Sequence, residues 1–208
     1  METDWSVAAG ADDPVIEVRW SDAASGLAWV DLRVDGETQR SRIAALPEAA
    51  ASPAMARALA LLNAPRGLLM TTKCDRWQMN DVERTELADA LDAPELACGY
   101  GSYIDVLMAH PVPMADFLLH EEWARTLTRR CAALPVDDAR LEVVVRPAHN
   151  LTDSQDIWGY GLTVYCYAGG VDESHAEAVW ADAIEQTVPI LIATAEGMFA
   201  SPEEIDLS

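Results

Sequence analysis

An α+β fold is what this sequence predicts: a mixed, largely antiparallel sheet with helices packed mainly on one face. Three observations carry the prediction. Stretches of two-residue alternation and stretches of helical period are interleaved along the 208 residues. No Gly-, Ser- or Pro-rich linker and no solenoid-length repeat divides them. The last third, from Leu141 to Ala200, reads as strand, connection, strand and long helix. A single domain over residues 1–208 follows, with an irregular N-terminus over about 1–13 and a short acidic tail over about 201–208. A chain of this size buries about 70% of its extended-chain surface, enough for a core without staples.

Val15–Trp20 and Leu27–Asp35 read as a β-hairpin, because Ala28, Val30, Leu32 and Val34 alternate with Trp29, Asp31, Arg33 and Asp35. Ile43–Ser52 is Ala-rich and has no clear period. Ser52-Pro53 supplies an N-cap and a first-turn proline for a helix through Asn63, and Gly67–Lys73 reads as a buried strand. Asn80 or Asp81 caps a helix over Val82–Leu91, ended by Pro94. The Tyr and Ile content of Cys98–Ala109 favours strand over helix. Pro113 opens a third helix to about Leu134, with Phe117, His120, Ala124, Leu127, Cys131 and Leu134 along one face. Leu141–Pro147 and Trp158–Ala168 form a second antiparallel pair. In the latter strand Tyr160, Leu162, Val164 and Cys166 oppose Thr163, Tyr165 and Tyr167. Ser174-x-x-Glu177 is a capping box for the final helix, and Pro189 is expected to kink it.

Charge narrows the function classes. Fourteen basic residues against thirty-five acids give −21, and residues 151–208 hold eleven acids with no Lys or Arg. Such a field repels nucleic-acid phosphates and anionic membranes and speeds encounter with basic partners. No basic patch with interleaved aromatics offers a nucleic-acid surface, and the apolar run Val188–Ala195 is too short to span a bilayer. The N-terminus lacks the basic and apolar regions of a signal peptide, so a cytoplasmic location is expected. A single Lys beside many Arg and abundant Ala is the usage of a GC-rich, bacterial-type genome. Cys74, Cys98, Cys131 and Cys166 form no C-x-x-C pair, which disfavours a zinc ribbon or redox motif, and reduced thiols are expected.

Chemistry is sparse. Lys73, Cys74 and Asp75, at the end of a predicted strand, are the types that supply a nucleophile, a base and an orienting group, but no neighbouring His activates the thiol. His120-Glu121-Glu122 starts like a zinc motif, yet Ala124 stands where the second His belongs, and a core histidine is the simpler reading. Asp105, inside the apolar YIDVLM run, is the carboxylate best placed for burial and a raised pKa, or else faces water beside Tyr103. Arg146 reads as an outward partner on a half-exposed strand. Gly99-Tyr100-Gly101 and Gly159-Tyr160-Gly161 signal close backbone approach rather than a phosphate loop. No cofactor or metal is expected.

The remaining feature is acidic surface with aromatic anchors. Asp153, Asp156, Asp172, Glu173, Glu177 and Asp182, with Tyr165 and Tyr167, are expected to bind a basic protein partner. In charge and size alone the chain is similar to small bacterial immunity and inhibitor proteins. The expectation is a protein-binding module of that type. The alternative is a small metal-independent enzyme around Lys73, Asp75 and Asp105, which predicts a concave site where Asp75 and Asp105 meet His110 or His120.

Overall fold

A computed structural model describes residues 1–22, 26–151 and 156–199. In chain order its elements are β1 (Glu2–Val7), β2 (Ile16–Val18), β3 (Ser21–Asp22), β4 (Leu27–Ala28), α1 (Gly36–Ala44), α2 (Pro47–Ala51), α3 (Pro53–Leu62), β5 (Leu69–Gln78), α4 (Asp81–Leu91), β6 (Cys98–Met108), α5 (Pro111–Met114), α6 (Phe117–Cys131), β7 (Ala139–Leu151), β8 (Asp156–Gly170) and α7 (Glu173–Phe199).

Period-two alternation makes the main sheet. Leu162, Val164, Cys166 and Ala168 of β8 point to one face and are buried, while Thr163, Tyr165 and Tyr167 point to the other. Strand order is β1-β7-β8-β6-β5, with β2 continuing the β1 edge. β1 and β2 run parallel to β7, and the other pairings are antiparallel. This is the α+β architecture the sequence predicts. Helices α6 and α7 pack on one face of the sheet, α6 over β7 and β1 and α7 over β8 and β6, and α3 packs on α7. Trp123 of α6 and Trp180 of α7 are fully buried there. The Trp180 indole N–H donates to Ser102 Oγ of β6 at 2.9 Å, so its one polar atom is satisfied inside the core.

Among the described residues, the opposite face is closed only at its ends. α4 lies over one end, where Leu87, Ala88, Ala93 and Leu96 form a small separate cluster with Met79 and Tyr167. The N-terminal segment covers the other end, where Ile16 and Leu107 meet above Gly161. Any Cβ at Gly161 would strike Leu107, and one at Gly101 would occupy the place of the Trp77 ring. Both Gly-Tyr-Gly motifs therefore mark close approach, as their spacing suggests.

Several local expectations hold and several do not. Ser52 caps α3 by accepting the Met55 N–H, and Asn80 with Glu83 forms a capping box on α4. The α4 helix ends on Asp92 in a left-handed conformation (φ 52°) rather than at Pro94. The irregular N-terminus contains a strand, β1, whose Glu2, Asp4 and Ser6 face water. The expected hairpin over Val15–Trp20 and Leu27–Asp35 survives only as a short antiparallel pair, β3 with β4, extended by the Trp29 N–H donating to the Trp20 carbonyl at 2.9 Å; β2 joins β7 instead, and β4 stops at Ala28. Local bonding ends that strand, because the Asp31 carboxylate accepts the Arg33 N–H and the Asp31 carbonyl accepts from Arg42. The third helix is broken at Asp116, whose side chain accepts the Leu119 N–H and starts α6 afresh. At α7 the capping carboxylate is Asp172, which accepts the His175 N–H, and Ser174 lies inside the helix.

Candidate functional site

The uncovered middle of the sheet carries a row of half-buried aromatic rings contributed by three adjacent strands. Trp77 of β5 meets Tyr167 of β8 edge-on at 6.4 Å between centroids. Tyr167 stacks with Tyr165 at 6.0 Å, and Tyr165 meets Tyr103 of β6 at 5.9 Å. Residues two apart on β8, and Tyr103 and Tyr165 paired across β6 and β8, necessarily share this face. Arg146 of β7 donates to the Tyr165 hydroxyl at 3.3 Å. Burial pushes the phenols of Tyr103 and Tyr167 above their usual range, Tyr103 to about 12, so both remain neutral donors at physiological pH.

Asp105 forms the floor beside Tyr103. It is only 7% exposed, and the Thr163 hydroxyl donates to its Oδ1 at 2.6 Å. Burial raises its carboxyl to about 6, against the lowering pull of that bond and of the Arg146 and Lys73 charges. Asp105 thus shares the face of Tyr103, as the alternation requires, but sits beneath its surface.

The row leads into a cavity of about 380 Å³ between the sheet and the N-terminal segment. Its walls include Glu17, Trp20, Glu48, Lys73, Asp75 and Tyr103. A bulge between Thr71 and Cys74 shifts the β5 register there. The indoles of Trp20 and Trp29 donate to the carbonyls of Thr72 (3.2 Å) and Thr71 (3.4 Å), tying the N-terminal segment to this edge. The Lys73 ammonium stands 5.1 Å from the Trp20 ring centroid. At the other end of the row, Trp77, Met79, Glu83, Glu86, Arg140, Glu142 and Tyr167 line a second hollow of about 270 Å³.

Lys73 and Asp75 therefore line the cavity, with Asp105 close enough for the Lys73 charge to act on it. No histidine joins them among the described residues. The His110 Nδ1 accepts the Val112 N–H and caps α5. His120 is fully buried on the helix-covered side, against Trp123, Tyr160 and Phe199. Its Nδ1 lies 2.7 Å from the Asp116 carbonyl, and desolvation lowers its pKa, which makes it a neutral core histidine. Burial, then the Glu48, Asp75 and Asp105 charges, push the Cys74 thiol to about 12, away from the thiolate form that a nucleophile needs. Among the described residues, no group of three or more His, Cys, Asp and Glu is placed to hold a metal ion, and no helix is long and apolar enough to cross a membrane.

The expected acidic binding surface divides in two. Tyr165 and Tyr167 lie on the open face, whereas Glu173, Glu177 and Asp182 belong to α7 on the other side of the sheet. Arg76 pairs with Glu177 at 2.9 Å, Gln78 donates to Glu173 at 3.0 Å, and Gln186 donates to Asp182 at 2.8 Å. Arg57 is bonded to Glu185. Asp156 pairs with His149 at 2.7 Å near the tip of the β7–β8 hairpin, and Asp153 lies outside the described residues. Sequence reasoning missed Trp77, Tyr103 and Trp20 as wall residues of one face. The period-two pattern of β6 could have supplied Tyr103, but Trp20 reaches the site through an irregular segment with no such pattern. Comparison with protein-family models, with curated proteins and with solved structures finds no match to this chain.

Proposed function

We propose that this protein is a non-enzymatic acidic binding module that engages a basic protein partner through the open sheet face, as an inhibitor of the immunity type does. The observation that carries the reading is the row Trp77–Tyr167–Tyr165–Tyr103, half-buried on a face that α6 and α7 leave uncovered. Such rings supply large contact area at low entropic cost and are the residue types that dominate binding energy. Around the row the acids Asp75, Glu83, Glu86 and Glu142 outnumber the bases Lys73, Arg140 and Arg146, a narrow local excess within a molecule whose net charge is −21. Opposite charge on the partner then speeds association, while the rings hold it.

The reading is tested by capture from native-host lysate with the wild type and with Tyr165→Ser/Tyr167→Ser, at low and high salt. The expected result is a basic protein retained by the wild type, weakened by salt, and lost from a variant whose circular dichroism is unchanged. Capture that ignores both salt and the two tyrosines, or no specific capture at all, overturns it.

A second reading, a small metal-independent enzyme, is favoured by the Asp105 carboxyl, which burial raises towards neutrality beside Tyr103 and the cavity. It lacks the histidine that the sequence-based version required at this face.

A further inference from the structure

The cavity at the end of the aromatic row combines features that single out one kind of occupant. Three carboxylate residues, Glu17, Glu48 and Asp75, stand on its walls against one ammonium, that of Lys73. Two aromatic residues, Trp20 and Tyr103, share those walls. The Trp20 ring already takes a cation on its face, since Lys73 Nζ lies 5.1 Å from its centroid. Thr72 lines the same cavity, and its backbone carbonyl accepts the Trp20 indole N–H at 3.2 Å.

We propose that this cavity receives an arginine side chain of the basic partner, which deepens the binding-module reading and rests on it. A guanidinium is planar, stacks on aromatic faces and offers five N–H donors to carboxylates, so it matches the rings and the acids together. The apolar remainder of the wall, including Leu46 and Leu59, suits the methylene stem. Lys73 is an internal competitor for the same ring face. The volume of about 380 Å³ leaves room for the incoming group beside it.

The test uses N-acetyl-arginine methylamide as the protein-type probe, agmatine as the free small guanidine, and N-acetyl-citrulline methylamide as the uncharged isostere. Each is titrated into the full chain, followed by amide and indole NMR shifts. The proposal expects saturable shifts at Trp20 and Lys73 with the arginine probe and at least tenfold weaker binding of the citrulline probe. It further expects tenfold or greater weakening in Glu48→Gln/Asp75→Asn, and tighter binding in Lys73→Met. Citrulline binding as tight as arginine, shifts that avoid Trp20, or no saturable response overturns it. Binding of agmatine without the arginine probe overturns it in favour of a free small ligand. Tyr165 and Tyr167 are not among the cavity walls. Salt-sensitive, tyrosine-dependent capture with no arginine binding would therefore sink the cavity assignment and leave the binding module standing.

Discussion

Asp105 is held between opposing influences, and their balance has a measurable sign. Its carboxyl is raised from 3.8 to about 6 by burial, despite the Thr163 bond and the nearby Arg146 and Lys73 charges. The folded chain therefore binds this proton more tightly than the unfolded chain does. The stability it brings is complete below pH 3.8 and is lost as pH rises through about 6. Asp105→Asn keeps an oxygen for the Thr163 hydroxyl and removes the titration. The variant is expected to lose a pH-dependent fall of stability, on the order of 2–3 kcal/mol across this window, in urea unfolding measured at successive pH values. An unchanged pH slope would show that Asp105 ionises freely in the fold. Buried Asn63 illustrates the same strictness without charge. Its side chain donates to the Leu59 carbonyl and the Thr71 hydroxyl and accepts the Thr71 N–H, all within 2.9 Å, and so splices the end of α3 to the start of β5. Single residues of this kind were half-legible in the sequence: an aspartate in an apolar run announces burial, but nothing local announces that Thr163 is its partner 58 positions away.

Strands and helices show where legibility stops. Period two identified β8, Tyr and Ile content favoured strand for β6, and cap chemistry placed α3 and α4, because these signals are written in neighbouring residues. The N-terminal 35 residues misled for the opposite reason. Asp31 and Arg33 alternate with apolar residues as a strand would, yet local side-chain bonds divert the chain into loop. The site suffered similarly, since its rings come from β5, β6, β8 and an irregular stretch that only the tertiary fold brings together. That irregular stretch has a defined task. The Trp20 and Trp29 indoles occupy carbonyls of β5, which among the described residues is an edge strand paired only with β6. Unpaired edge groups template pairing between molecules. Trp20→Phe/Trp29→Phe keeps the ring bulk and removes both donors. It is expected to raise the aggregation rate several-fold in light scattering at fixed concentration, with far-ultraviolet circular dichroism little changed. Equal aggregation rates would assign the two indoles to packing alone.

At the scale of the whole molecule, a net charge of −21 on 208 residues sets a background of self-repulsion. Only part is offset locally, as in the Arg76–Glu177 and Arg125–Glu121 pairs at 2.9 and 2.8 Å. Screening shortens the range of that repulsion from about 30 Å at 0.01 M salt to a few ångströms at 1 M. The melting temperature is therefore expected to rise by several degrees when sodium chloride is raised between those limits, as followed by calorimetry. A flat or falling curve would mean that attractive pairs outweigh the repulsion. The sheet itself joins distant stretches of the chain, for β1 pairs residues 2–7 with residues 140–145. During synthesis this gives the fold a clock. At about 5–20 residues per second, the segment carrying β1 leaves the ribosome on the order of ten seconds before its partner strand exists. Through that interval it waits unpaired, and the exposed acids at positions 2 and 4 are charges of the kind that disfavour pairing with a wrong neighbour.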